Sequence, residues 1–117
     1  MLRWNDVEEW LERLAREDDG LVRSTLAEAA SAAPDQDLPH LECEQVLAAA
    51  EIVASAAGAA PDELPTAVRD YIERHGVPDE SVVADAFRAV ERVGMQKDEH
   101  DEWLVDLEER LGALLSA

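Results

Sequence analysis

Between His40 and Ala57 the chain sets Cys43, Val46, Leu47, Ala50, Val53, Ala54 and Ala57 on one helical stripe, with Ile52 and several alanines on the opposite side. A helix apolar nearly all round has no face to offer water, so it belongs in the middle of other elements, and its small alanines let those neighbours come close. The segment predicts an Ala-rich central helix, ended by Gly58, and a fold built of helices around it.

The flanking segments supply amphipathic partners. Asn5 followed by Glu8 has the form of a capping box, and Val7, Trp10, Leu11, Leu14 and Ala15 recur at the spacing of one helix face up to a stop at Gly20. A second helix is predicted over 21–33, with Val22, Leu26, Ala29, Ala30 and Ala33 on one side and Pro34 at its end. Beyond the central helix, Pro65 opens a fourth over 65–75, with Leu64, Val68, Tyr71 and Ile72 on one side, and Gly76 closes it. Asp79 caps a fifth over 79–93, whose stripe is Val83, Ala86, Phe87, Val90 and Val93, with Gly94 as the break. The last begins near Asp98, where acids favour the positive end of the helix dipole, and runs through Leu104, Leu107, Leu111 and Leu114. No segment alternates with period two. The expectation is an all-α, compact single-domain bundle of about five or six helices over residues 1–117, mostly antiparallel.

Charge narrows the function classes. The 28 acidic and 10 basic residues leave −18, an extreme that repels nucleic acid and anionic membrane and attracts basic partners. By segment the balance is −4 over 1–33, −7 over 34–64, −1 over 65–97 and −6 over 98–117, so two acidic zones stand out. No run of about 20 apolar residues exists to span a bilayer, since even Val46 to Ala60 is broken by Glu51. The opening Met-Leu-Arg-Trp-Asn-Asp is not an apolar leader and neither end carries a lipidation motif, which predicts a cytoplasmic location. Cys43 stands alone, so no internal disulfide can form.

Few constellations carry chemistry. Glu8-Glu9-Trp10-Leu11-Glu12 puts Glu8 and Glu12 on one helix face, and the Glu-Glu-x-x-Glu pattern resembles half of the magnesium site of all-α nucleotide pyrophosphatases. Those enzymes need a Glu-x-x-Asp pair on a second helix, and no Glu here has Asp three residues later. Asp98-Glu99-His100-Asp101-Glu102 is dense in ligand types, but consecutive residues radiate around a helix at about 100° each and do not converge. None of the three histidines has Glu three residues before it, and no serine sits in a glycine elbow. The sequence thus predicts no catalytic residue, no metal and no cofactor. Glu51 lies about 110° from the centre of the central helix's core stripe, where it flanks the packed surface. There it is expected to pair with an Arg such as Arg69, Arg88 or Arg92 or to stay exposed, with a recognition or catalytic role as the alternative.

Asn5-Asp6 followed by Trp10-Leu11 and Leu14, then Ala48-Ala49-Ala50-Glu51-Ile52-Val53-Ala54 with Gly58, the Leu64-Pro65 joint, Ala89-Val90-Glu91-Arg92-Val93 and Trp103-Leu104-Val105-Asp106-Leu107 together resemble a bacterial group, the domain of unknown function of family 4259. The resemblance spans nearly the whole chain. It implies a short acidic helical protein and brings no activity with it. The family's glycine- and aromatic-rich lead-in is reduced here to Trp4.

The functional expectation is an acidic interaction protein that binds a basic protein partner, as an immunity-type inhibitor or a nucleic-acid mimic does. Asp35, Asp37, Glu42, Glu44, Asp98, Glu99, Asp101 and Glu102 are its expected acidic surface. Direct nucleic-acid and membrane binding are not expected. One alternative is magnesium-dependent nucleotide hydrolysis at Glu8, Glu9 and Glu12. The other is a domain whose charge serves solubility alone, as nine arginines among ten basic residues would suit in a GC-rich genome or a salty cytoplasm.

Overall fold

The computed structural model describes residues 7–17, 20–32, 40–58, 65–96 and 102–116. They form α1 (Glu8–Glu17), α2 (Leu21–Ser31), α3 (His40–Ala56), α4 (Thr66–His75), α5 (Glu80–Gln96) and α6 (Glu102–Ser116), and no strand occurs among them. The all-α bundle expected from the periodicity is the observed fold.

α3 occupies the centre. Every side chain from Val46 to Ser55 is buried, and the helix packs against α2, α4, α5 and α6. Ala48, Ala49, Ala50 and Ala54 are wholly covered, which lets four neighbours crowd one helix, while Leu47 and Ile52 fill the space between them. Alanine loses no rotamer freedom on burial, and each fully buried Leu or Ile contributes roughly 1.5–3 kcal/mol. α1 lays Trp10, Leu11 and Leu14 inward and leaves Glu8, Glu9, Glu12 and Arg13 outside, touching α2 and α4. α5 joins the layers, with contacts to α2, α3 and α6. The radius of gyration, 13.0 Å, is close to the roughly 13 Å of a compact chain near this length.

The turn before α2 depends on Gly20, whose φ of 81° lies in the left-handed region, and whose carbonyl accepts the Ser24 N–H at 2.8 Å. α2 ends at Ser31, two residues short of the expected Ala33. Ala32 is already extended and its N–H turns back to the Ala29 carbonyl, an early exit that suits a chain approaching Pro34. The capping residue Asn5 lies outside the described residues.

Gly94 does not break α5, which continues to Gln96. Its role is close approach. A Cβ placed there would sit 3.3 Å from Leu104 Cδ2 and 3.3 Å from Glu108 Oε1 of α6, so the missing side chain is the room into which α6 packs. Phe87 faces Gly112 in the same way further back along α5, which makes α5 and α6 antiparallel. Gly94→Val is accordingly expected to destabilise by about 1–3 kcal/mol through overpacking. Gly94→Ala should be nearly neutral, the contact offsetting a helix-propensity gain of about 1 kcal/mol. Thermal unfolding of the two variants, compared with the parent, checks the ordering.

Candidate functional site

The buried polar residues of α3 form a stripe of their own. Glu44, Glu51 and Ser55 are spaced by seven and four, so they fall within about 40° of one another at about 100° per residue. They are 2%, 1% and 5% exposed. Two carboxyl groups on the innermost helix demand partners, because an uncompensated interior charge is not tolerated.

Glu51 finds its partner on α6. The Arg110 guanidinium donates from Nη2 to Glu51 Oε1 at 2.6 Å and from Nη1 to Oε2 at 2.7 Å, the two-pronged geometry that a planar fork makes with a carboxylate. Ser55, one turn further along α3, donates its hydroxyl to Oε2 at 3.1 Å. Arg110 Nη2 also reaches Asp106 Oδ2, one turn back on α6, at 2.8 Å. Glu51 is 1% exposed, Arg110 19% and Asp106 57%, so the three form a line from the core to solvent. The hydrogen bond to Glu51 outweighs the opposing effect of burial and, with the charges of Glu51 and Asp106, holds the Arg110 guanidinium above its already high range. A carboxylate engaged on both oxygens is a clasp rather than a general base: this network fixes α6 against α3.

Arg110 is not among the arginines expected to pair with Glu51. Arg69 lies exposed on α4, Arg88 is exposed and 4.0 Å from Asp85, and Arg92 is buried on α5. A helical wheel ranks positions around α3 but does not say which helix covers the Glu51 side; that helix is α6. A signal was available. Arg110 is the only basic residue in 98–117 and directly precedes Leu111 of the apolar stripe.

The expected acidic surface divides. Glu44 is buried, so it does not belong to a surface; it lies on the same inward stripe as Glu51. Glu42, in the first turn of α3, is half-buried. Asp35, Asp37, Asp98, Glu99 and Asp101 lie outside the described residues, and Glu102 opens α6.

Glu42 lines a cleft of about 230 Å³ between α1, α2 and α3, together with Ser24, Thr25, Glu28 and Gln45. Trp10 is part of the wall, its indole N–H donating to Thr25 Oγ1 at 3.3 Å. Hydroxyls, an amide, two carboxylates and the Arg13 guanidinium make this a polar wall of mixed charge that offers hydrogen bonds. Glu8, Glu9 and Glu12 all point outward from α1, and among the described residues no three His, Cys, Asp or Glu side chains gather into a group able to hold a metal ion. Also among the described residues, no helix is long and apolar enough to cross a membrane.

Neither a curated protein nor a solved structure matches this chain. The sequence profile of a family described as Domain of unknown function (DUF4259) does match, over residues 5–110, from the Asn5 of the opening motif to the Arg110 of the clasp, and the chain belongs to that family.

Proposed function

We propose that this chain is an acidic interaction protein that binds a basic protein surface, in the manner of an immunity-type inhibitor or a nucleic-acid mimic. The observation that carries this reading is the sign of the exposed surface, which burial of cations and acids alike leaves negative. Arg92 is buried on α5, and Arg110 is turned onto Glu51 inside the bundle. Among the described residues eleven exposed carboxylates stand against six exposed guanidiniums, so the outer surface keeps the negative sign of the chain. A field of one sign steers an oppositely charged partner and raises its rate of encounter.

Affinity capture with the tagged chain, followed by titration of the captured partner at two salt concentrations, tests the reading. Because the Debye length falls from about 10 Å at 0.1 M to about 3 Å at 1 M, binding is expected to weaken by an order of magnitude or more across that range. Neutralising Asp98, Glu99, Asp101 and Glu102 together, as Asn or Gln, is expected to slow association at low salt, with a lowering of the melting temperature as the acids that complement the helix dipole are lost. A partner whose affinity ignores both salt and this variant sinks the proposal. A charge that serves solubility alone predicts no partner and greater stability as salt rises.

A further inference from the structure

A second cleft, on a different part of the surface from the one lined by Glu42, has another character. It opens where the start of α2, the end of α3 and the α4–α5 turn meet, and encloses about 200 Å³. Its deepest residues, Val22, Ile52, Val53 and Val82, are apolar and buried, while the larger part of the surface it presents is polar. Tyr71 and His75 form a wall, their rings stacked with centroids 4.2 Å apart and planes 27° from parallel. Arg23 and Asp79 stand at the rim, their charged atoms 3.6 Å apart.

Each feature restricts the occupant. An apolar cavity of about 150 Å³ accommodates one benzene ring, so this volume seats one or two fused rings and leaves the rest of any larger ligand in solvent. Aromatic walls favour a flat, polarisable ligand over a branched aliphatic one. At the rim the guanidinium and the carboxylate both face solvent, so an incoming charge of either sign meets one attracting and one repelling group. An anion would in addition meet a chain of net charge −18. What remains at the rim is one set of donors and one acceptor for a polar edge. The turn that shapes the mouth is held by Gly76, at φ 70° with its N–H on the Ile72 carbonyl, and by Pro78, so little ordering is left to be done on binding.

We infer that this cleft is a binding site for a small, uncharged, planar aromatic molecule of one or two rings that carries a polar edge. The site is independent of the acidic surface and stands or falls separately from it. Indole serves as the probe, with benzoate and benzylamine as charged counterparts. Methyl resonances of Val22, Val53 and Val82 are expected to shift saturably with indole, with a Kd on the order of 1 mM or tighter for a ligand of this size, and more weakly with either charged ring. Ala56 is half-buried at the end of α3 and lines the cleft; Ala56→Phe fills it, and should weaken indole by about tenfold or more, the loss of roughly 1.4 kcal/mol. His75 is exposed, so His75→Ala keeps the fold whatever Ala56→Phe does, and removal of half the ring stack should weaken indole by about threefold. No saturable methyl shift with indole, equal affinity for all three probes, or unchanged indole affinity in His75→Ala overturns the assignment.

Discussion

Arg110→Ala is expected to lower the unfolding free energy by about 3 kcal/mol, the low end of the roughly 3–5 kcal/mol lost when one member of a buried ion pair is removed. The low end applies because the Arg110 side chain keeps 19% of its surface in contact with solvent, so water can reach the vacated position. Most of the loss is the desolvation of Glu51, left 1% exposed on the central helix without its fork of donors. The origin of the loss dictates the control. Removing both charges, as Glu51→Met with Arg110→Met, takes away the orphaned carboxylate along with its partner and should recover most of the stability. Asp106→Asn should cost less than about 1 kcal/mol, since Asp106 is 57% exposed and its contribution is screened. Denaturant unfolding of the three variants decides the matter; a double variant no better than the worse single one would show that packing, not charge, is lost. The direction of the pH effect follows from Arg110 as well. A guanidinium held above its ordinary range contributes stability that is fully present below that range and lost only as pH rises through it, so the clasp does not weaken at moderately alkaline pH.

Leu47→Asp should abolish folding. Leu47 is fully buried in the stretch of α3 that is enclosed on all sides, and four helices close around it. A carboxylate there would have no provision of donors such as Arg110 and Ser55 make for Glu51, and the cost of burying it unpaired exceeds the roughly 5–15 kcal/mol that holds a domain together. Leu47→Ala, which leaves a cavity and no charge, should cost about 2–5 kcal/mol and remain folded at room temperature. Circular dichroism and thermal melts separate the outcomes: a soluble Leu47→Asp protein that melts like the parent would contradict the central placement of α3.

What the sequence disclosed, it disclosed through periodicity. The position of α3 follows from residues that leave no polar face, and the inward sets of α1, α2, α5 and α6 follow from apolar residues three and four apart. These are properties of one helix at a time. The errors arise where two helices meet. Gly94 has the look of a terminator when α5 is read alone; its function becomes visible only with Leu104 and Glu108 of α6 against it. Glu51 has the look of a flank position with several arginines to choose from, and the choice is settled by α6 lying across it. Glu44 differs, because one helix alone suffices to place it. It stands seven residues before Glu51, on the same side of the helix, so both flank the packed surface. The cleft walled by Tyr71 and His75 draws on α2, α3, α4, α5 and the turn between the last two, and no local pattern announces a surface assembled from so many segments.

The enclosed alanines of α3 also set a direction for sequence drift. A side chain already reduced to one methyl can be exchanged downward only for glycine, which weakens a helix by about 1 kcal/mol, and upward only by pushing a neighbour aside. This stretch can therefore neither shrink nor swell cheaply. Relatives that differ in volume should record the difference in the surrounding helices, with this one serving as the fixed gauge against which they adjust.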